Sequence, residues 1–326
     1  MDDDIIADWN GVQRAISFLS ICKPEQREAL TIGGTMMDIM QPAMQFEAGA
    51  CCQNRCLTGI QPQADLTKHT SLLARMQPIP ANYAAWWMCL LPVAAMKQAG
   101  LPMPFFIKMD DVEYALQIKE QVVMMTGVCV WHENFHLKYA PWNEYYITRN
   151  GCITYALHGQ AKNALAVTLE LWRTVLHLLF LHRYDTAKFV LQGYRDFLRG
   201  WKWLQKTDAI TLHRQILQQQ QAATEQFQTD CTEVPDSIPQ ISFFEATRAA
   251  VQKQKSVFLF HPFTKKGFYA SRKKGTAFQL LLKMGGISLR MLTTYRSVVQ
   301  GFQKNRTILC EDAAWNRRNQ HNSEEK

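Results

Sequence analysis

"MPFFIKMDDVEYALQIKEQVVMMTGVCVWHE", residues 103–133, decides the fold. Its first part reads as a strand that runs into acid at a helix start, with Asp110, Asp111 and Glu113 at the junction. Its last part, "VVMMTGVCVWHE", reads as a further strand that ends in Trp131 and His132. Strand, helix and strand in succession predict an α/β domain.

Upstream, "YAAWWMCLLP" (83–92) is a strand candidate ending at proline, and "VAAMKQAG" (93–100) a short helix stopped by Gly100. "LTIGGTMMDI" (30–39) reads as a short buried strand interrupted by a Gly-Gly turn, and "WNGVQRAISFLSIC" (9–22) has helical spacing. Residues 41–82, rich in Gln, Pro and Cys, are expected to form an irregular surface loop. After "WNEYYITRNGCITYAL" the pattern is helical. Residues 161–204 are long, amphipathic and edged with Arg, Lys and Trp. They lack the roughly 20 uninterrupted apolar residues of a spanning helix. A polar linker is expected near 218–240, then a basic tail whose densest cluster is "TKKGFYASRKKG" (264–275), and a disordered polar end.

The 326 residues are 47% hydrophobic and 20% charged, which is globular and not disordered. The start carries acid, not the basic and then apolar run of a secretory signal. Nine cysteines are an odd number, so reduced thiols in a cytoplasmic setting are the expectation. "CCQNRC" (51–56) has no second ligand pair at zinc-finger spacing. Residues 1–161 hold 11 Lys+Arg against 15 Asp+Glu, a net of −4, and residues 162–326 hold 25 against 13, a net of +12. An acidic front and a basic back imply two jobs, the second facing an anionic surface.

Four clusters could carry chemistry: Asp2-Asp3-Asp4, Asp110-Asp111 with Glu113, Trp131-His132, and Trp86-Trp87. Singly, each has a plain structural explanation: an acidic pair suits a helix dipole, a Trp pair suits a core, and a strand-terminal His is a satisfied polar group. In order along one chain they fit a different use. Clustered aspartates hold a hard divalent cation, a carboxylate at a strand-to-helix junction acts as a base, and tryptophans meet the apolar face of a sugar.

Taken together, "MDDDI", "YAAWWMCLLP", "LPMPFFIKMDDVEYALQ", "VVMMTGVCVWHE" and "WNEYYITRN" resemble the inverting, metal-dependent nucleotide-sugar glycosyltransferases of the GT-A fold, in family order. The resemblance covers about residues 1–155 and is strongest for the galactofuranosyltransferase branch. It implies a cation, Mn²⁺ or Mg²⁺, held by Asp2, Asp4 and His132, with Asp3 beside the nucleotide of a UDP-sugar. It implies Asp111 as the base, with Trp86, Trp87, Asp110 and Glu113 around a glycan or lipid-linked glycan acceptor. Branch members carry a histidine just before the "RN" element, where this chain has Ile147 and Thr148. They also carry a nucleotide-binding half ahead of the acidic motif, and here Met1 already abuts that motif. The expectation is a chain that begins in mid-fold, with the missing half supplied by upstream sequence or a partner chain, or lost in an inactive remnant.

The resulting expectation is a partial GT-A (Rossmann-like) domain over 1–157 and a mostly α-helical basic domain over 158–326. The helical domain should contact the inner face of the membrane peripherally, with Trp172, Trp201 and Trp203 at the interface, and no nucleic acid is expected. A non-catalytic adaptor for membrane surface or nucleic acid, built on the basic half, is the rival from another class.

Overall fold

The computed structural model describes residues 4–53, 56–60, 63–159 and 163–311. Asp2 and Asp3 lie outside these, as does the polar end from residue 312. The molecule is mixed α/β with a largely helical C-terminal region, as the sequence predicts.

The front of the chain runs through β1 (Ile6–Ala7), α1 (Trp9–Ile21), the single turn α2 (Pro24–Arg27) and β2 (Leu30–Asp38). Helix α1 starts where it does because Asp8 accepts a hydrogen bond from the Asn10 amide. The stretch expected to be irregular instead holds β3 (Met44–Glu47), β4 (Ala50–Gln53), β5 (Cys56–Gly59), β6 (Ala64–Asp65) and α3 (His69–Arg75). These strands are short, so their alternation is too brief to register as a periodic signal. Strand β7 is only Cys89–Leu90, because most of "YAAWWMCLLP" is turn and loop. Helix α4 (Val93–Ala99) ends at Gly100, whose φ of 78° is left-handed, as the sequence predicts. Helix α5 (Asp110–Ile118) and β8 (Gln121–His132) follow.

The main sheet has the order β1-β8-β2-β3-β6, with β7 also on β2. Its centre is the parallel pair β2 and β8, which runs from Leu30 opposite Gln121 to Asp38 opposite His132 with a register shift between Gly33 and Thr35. Strand β1 joins the other side of β8 antiparallel, with Ile6 opposite Trp131. Gly33 and Gly34 do not make a turn. They sit inside β2 at a register shift, both buried. A Cβ on Gly33 would lie 2.6 Å from the Ala84 Cβ, and one on Gly34 would lie 2.5 Å from the Met88 Cγ. The glycines are there so that segment 84–88 can press against the strand.

Helices α6 (Asn143–Leu157), α7 (Ala164–Phe180), α8 (Tyr184–Phe197), α9 (Trp201–Lys206) and α10 (Ala209–Gln221) build the back of the molecule. A second sheet then interrupts the helical pattern. Strands β9 (Thr229–Asp230), β10 (Gln240–Ser242), β11 (Ser256–Phe260) and β12 (Lys266–Ser271) pair in the order β10-β11-β12-β9, with α11 (Arg248–Val251) between them. Half of the basic cluster "TKKGFYASRKKG" is β12, whose Phe268 and Ala270 face a core with Val257 and Leu259 while its charges face out. The polar stretch 218–240 contains the end of α10 and a buried Glu225 that accepts hydrogen bonds from the Asp185 and Thr186 amides at the start of α8. Helix α12 (Lys274–Lys304) packs across α6, α7 and α8, with Phe302 stacked on Phe197 at 5.9 Å, and α13 (Arg306–Cys310) returns to the front of the molecule. Among the described residues, no helix is long and apolar enough to cross a membrane.

The Gly33→Ala protein should therefore lose about 1–3 kcal/mol of stability, the usual cost of overpacking a closed site. Urea unfolding followed by tryptophan fluorescence reads this directly, and an unchanged midpoint would mean that β2 is not packed this closely.

Candidate active site

A cleft of about 960 Å³ opens where the C-terminal end of β8, the N-terminus of α5 and the start of the chain meet. Its walls include Asp4, Glu47, Trp86, Trp87, Lys108, Asp110, Asp111, His132, Phe135, Lys138 and, from α6, Ile147 and Thr148. Most of the residues singled out from the sequence therefore share one concavity, although they come from distant parts of the chain.

Asp4 and His132 meet because of strand pairing. The antiparallel contact of β1 with the end of β8 carries the residues before Ile6 past Trp131 and His132. His132 is 3% exposed, and its Nε2 lies 3.2 Å from Asp4 Oδ1. Its Nδ1 faces the Glu133 carbonyl, an acceptor, so Nδ1 carries a hydrogen, and Nε2 faces the Asp4 carboxylate. With Nε2 unprotonated, it and Asp4 Oδ1 would share one divalent cation, and the Nδ1 contact is the kind of orienting bond that metal-bound histidines use. Asp4 Oδ2 accepts from Lys138 Nζ at 2.6 Å, and the Lys138 ammonium holds Asp4 below the usual carboxylate range. Among the described residues no group of three or more ligating side chains is assembled. Asp2, the third expected ligand, lies outside them.

The acidic pair sits on the first turn of α5. The approach to it is unusual: Phe106, Lys108 and Met109 have φ of 56°, 67° and 68°, left-handed values that none of the three favours. Each costs of the order of 1–2 kcal/mol. The sequence reading placed a strand here, and a strand is excluded by those dihedrals. Val112 N donates to Asp111 Oδ1 at 2.7 Å, so this carboxylate also satisfies one of the free amides at the start of its own helix.

The two tryptophans differ. Trp86 is partly exposed in the cleft, edge-on to Tyr114 at 5.9 Å. Trp87 is 7% exposed and its Nε1 donates to the Gly34 carbonyl at 3.1 Å, so it anchors this segment to β2 while one edge reaches the cleft. Glu113 is fully buried and off the cleft wall. Its Oε1 accepts from His158 Nε2 at 2.9 Å and from Arg306 at 3.2 Å, and this fastens α5 to α6 and α13. It lies only two residues past Asp111 and three past Asp110, but on the side of the helix away from the cleft.

Several groups at the site carry no motif. Phe135 stacks its ring against His132 at 4.8 Å and lies beneath Lys108 Nζ at 5.3 Å. Lys138 pairs with Asp4 as described. Both sit in an irregular segment after β8, where only a three-dimensional arrangement reveals them.

No family model matches the chain. Two curated proteins are similar to it. Galactofuranosyltransferase GlfT2 of Mycolicibacterium smegmatis is 28% identical over 219 residues, covering 61% of this chain and 33% of that protein. Galactofuranosyltransferase GlfT2 of Mycobacterium tuberculosis is 26% identical over 221 residues, covering 61% of this chain and 34% of that protein. The chain thus spans about a third of the length of the curated relatives it matches, and it is a distant homologue of galactofuranosyltransferases over that third.

Glu47, at the end of β3, is a further carboxylate in the cleft that the sequence did not mark. Burial, helped by the Asp111 charge, pushes it from its ordinary 4.5 up to about 7. Its Oε1 is buried with no hydrogen-bond partner among the described residues. The folded state therefore keeps a proton that the unfolded chain has lost, and stability falls as pH rises from about 4.5 to about 7. Glu47→Gln removes this penalty. The variant should match the wild type near pH 4 and exceed it at pH 8, by up to about 3 kcal/mol. Thermal melts at the two pH values measure the difference, and a gap that is the same at both would place the titration elsewhere.

Proposed function

We propose that the chain is the acceptor-side and metal-side part of an inverting glycosyltransferase. It moves a sugar, galactofuranose by analogy with its relatives, from a UDP-sugar to a hydroxyl of a glycan acceptor, lipid-linked or polymeric. The observation that carries this reading is one cleft that presents Asp111 on one wall and the converging Asp4 Oδ1 and His132 Nε2 on another.

Asp111 takes the proton of the acceptor hydroxyl as its oxygen forms a bond to the anomeric carbon. The bond from that carbon to the terminal phosphate oxygen of UDP breaks with its electrons on UDP, so one displacement inverts the centre. Asp4 and His132, with Asp2, would hold Mn²⁺ or Mg²⁺, a set of oxygen and nitrogen ligands that suits either ion; when bound, the cation neutralises the departing diphosphate. Trp86 offers an aromatic edge to the acceptor sugar, with Asp110 beside it to accept hydroxyl protons in hydrogen bonds. Asp3 would lie next to the nucleotide. Lys138 already pairs with Asp4, so it stands ready to shift to phosphate when a cation takes over that carboxylate.

Asp111→Asn keeps the shape of the side chain and removes its basicity. Transfer from UDP-galactofuranose to a short galactofuranose acceptor should fall by at least about 10²-fold, with Mn²⁺ binding unchanged. The assay is run on the chain alone and together with a chain that supplies a uridine-binding half. Undiminished transfer by Asp111→Asn would remove Asp111 from the chemistry.

We also propose a peripheral membrane contact through the helical region. Supporting it, the outward faces of α7 and α12 leave Leu165, Leu169, Trp172, Phe278, Leu282 and Leu289 exposed, and the two helices are tied by Trp172 Nε1 donating to Ser288 Oγ at 2.9 Å. Lys283 and Arg290 lie beside this apolar face. Trp201 and Trp203 are less exposed: they pack against the helical core, with Lys202 and Arg199 over their rings. Sedimentation with anionic lipid vesicles should fall at least tenfold for Leu282→Glu with Leu289→Glu, and salt should release the wild type. Equal sedimentation of both proteins would refute the assignment.

A further inference from the structure

The segment that delivers Asp110 and Asp111 is strained, and one side chain holds it. Asn150 lies in the middle of α6 and is fully buried. Its Nδ2 donates to the Ile107 carbonyl and to the Lys108 carbonyl, both at 2.9 Å. Its Oδ1 accepts from Arg149 Nε at 2.8 Å. A guanidinium only donates, so the oxygen must face Arg149, and the two amide hydrogens are left for the two carbonyls.

Arg149 is fixed in turn. Its guanidinium donates to Tyr145 Oη at 3.2 Å and lies over the Tyr145 and Tyr146 rings, each centroid 5.2 Å away. Tyr145 Oη donates to Asp196 Oδ2 of α8 at 3.1 Å. A buried chain of hydrogen bonds thus runs from α8 through α6 to the backbone in front of α5.

We propose that Asn150 is a positioning residue for the reaction: by gripping two successive carbonyls it holds the left-handed backbone at Lys108 and Met109, and so sets where Asp110 and Asp111 point. This rests on reading Asp111 as the base. The two carbonyls belong to the peptide planes on either side of Lys108, so its rotations are pinned; the plane after Met109 is held by the Glu113 amide, which donates to the Met109 carbonyl at 2.9 Å, so with the Asn150 grip Met109 is fixed from both sides. The requirement is sharp, because a rotation of about 10° at Met109 moves a carboxylate roughly 6 Å away by about 1 Å, and a 1 Å misplacement costs on the order of 10² in rate. Aspartate at 150 could not do this, since a carboxylate has no hydrogen to offer either carbonyl.

The test uses Asn150→Ala and Asn150→Asp in the transfer-competent protein, with two readouts. Amide hydrogen exchange should accelerate at least tenfold at residues 107–113 while α7 and α8 keep wild-type protection. The kcat for transfer should fall about 10²-fold, with the KM for the UDP-sugar within about twofold. Glycine adopts a positive φ without penalty, so adding Met109→Gly to Asn150→Ala should recover about tenfold of the lost kcat. Unchanged exchange at 107–113, or a rise spread over the whole protein, overturns the clamp. Local acceleration with undiminished kcat overturns its link to the chemistry, as does failure of Met109→Gly to recover any activity. A wild-type protein that supports no transfer overturns the reading of Asp111, while the exchange data still decide separately whether Asn150 holds the segment.

Discussion

Everything in the front half depends on the parallel pairing of β2 with β8. Side chains cover both faces of this pair, which is why its core strand is glycine-bearing and apolar and not alternating. The pairing sets three things at once. It brings Asp38 level with His132, it offers the far edge of β8 to β1 and so brings in Asp4, and it leaves room at Gly33 and Gly34 for the loop that carries Trp86 and Trp87. Trp87 then locks that loop by donating to the Gly34 carbonyl, so one of the two tryptophans is spent on the scaffold and the other is left for the cleft.

Helix α6 is the second support. Tyr145, Tyr146, Arg149, Asn150, Cys152, Ile153 and Thr154 are all buried, so most of the helix packs against protein and only the Ile147 side opens to the cleft. That position lets it serve both halves of the molecule. One side packs on α8, where a Cβ at Gly193 would lie 2.8 Å from the Tyr145 carbonyl oxygen. The other reaches the cleft through Ile147 and Thr148 and the acidic segment through Asn150. The helical region is therefore more than a basic attachment to the α/β front. It supplies a wall of the cleft and the contacts that fix its acids.

The legible parts of the sequence were those where a local pattern and the final structure obey the same rule. Strand β8 is a run of β-branched and apolar residues, α4 stops at a glycine that takes φ of 78°, and the acids at 110 and 111 stand on a first helical turn. What escaped was set by contacts between distant residues. A pair of glycines normally signals a turn, but at 33 and 34 it answers to the methionine and alanine side chains pressing on β2. Glu113 looks like a third site carboxylate until α13 and α6 supply its partners, Arg306 and His158. Glu47 has no motif around it and becomes notable only by facing Asp111 in a buried corner. The small sheet of 229–271 hides in a basic, polar composition because β9 and β10 are only two and three residues long and β12 turns Lys266 and Tyr269 to water, while the buried, apolar β11 is a short run on its own.

The strain before α5 and the burial of α6 are two sides of one arrangement. A non-glycine residue holds a left-handed backbone only when its surroundings leave it no alternative, and three such residues between 106 and 109 demand an unyielding support. An amphipathic surface helix could not supply it, since its polar side chains would bond to water as readily as to the strained carbonyls. Asn150 is fully buried and has no water to turn to, so its amide must find its partners in protein, and the Ile107 and Lys108 carbonyls are the ones within reach. The absence of a clear helical stripe in "NEYYITRNGCITYAL" is thus not noise in the sequence. It is what a helix looks like when one face packs on the core and the other holds the site.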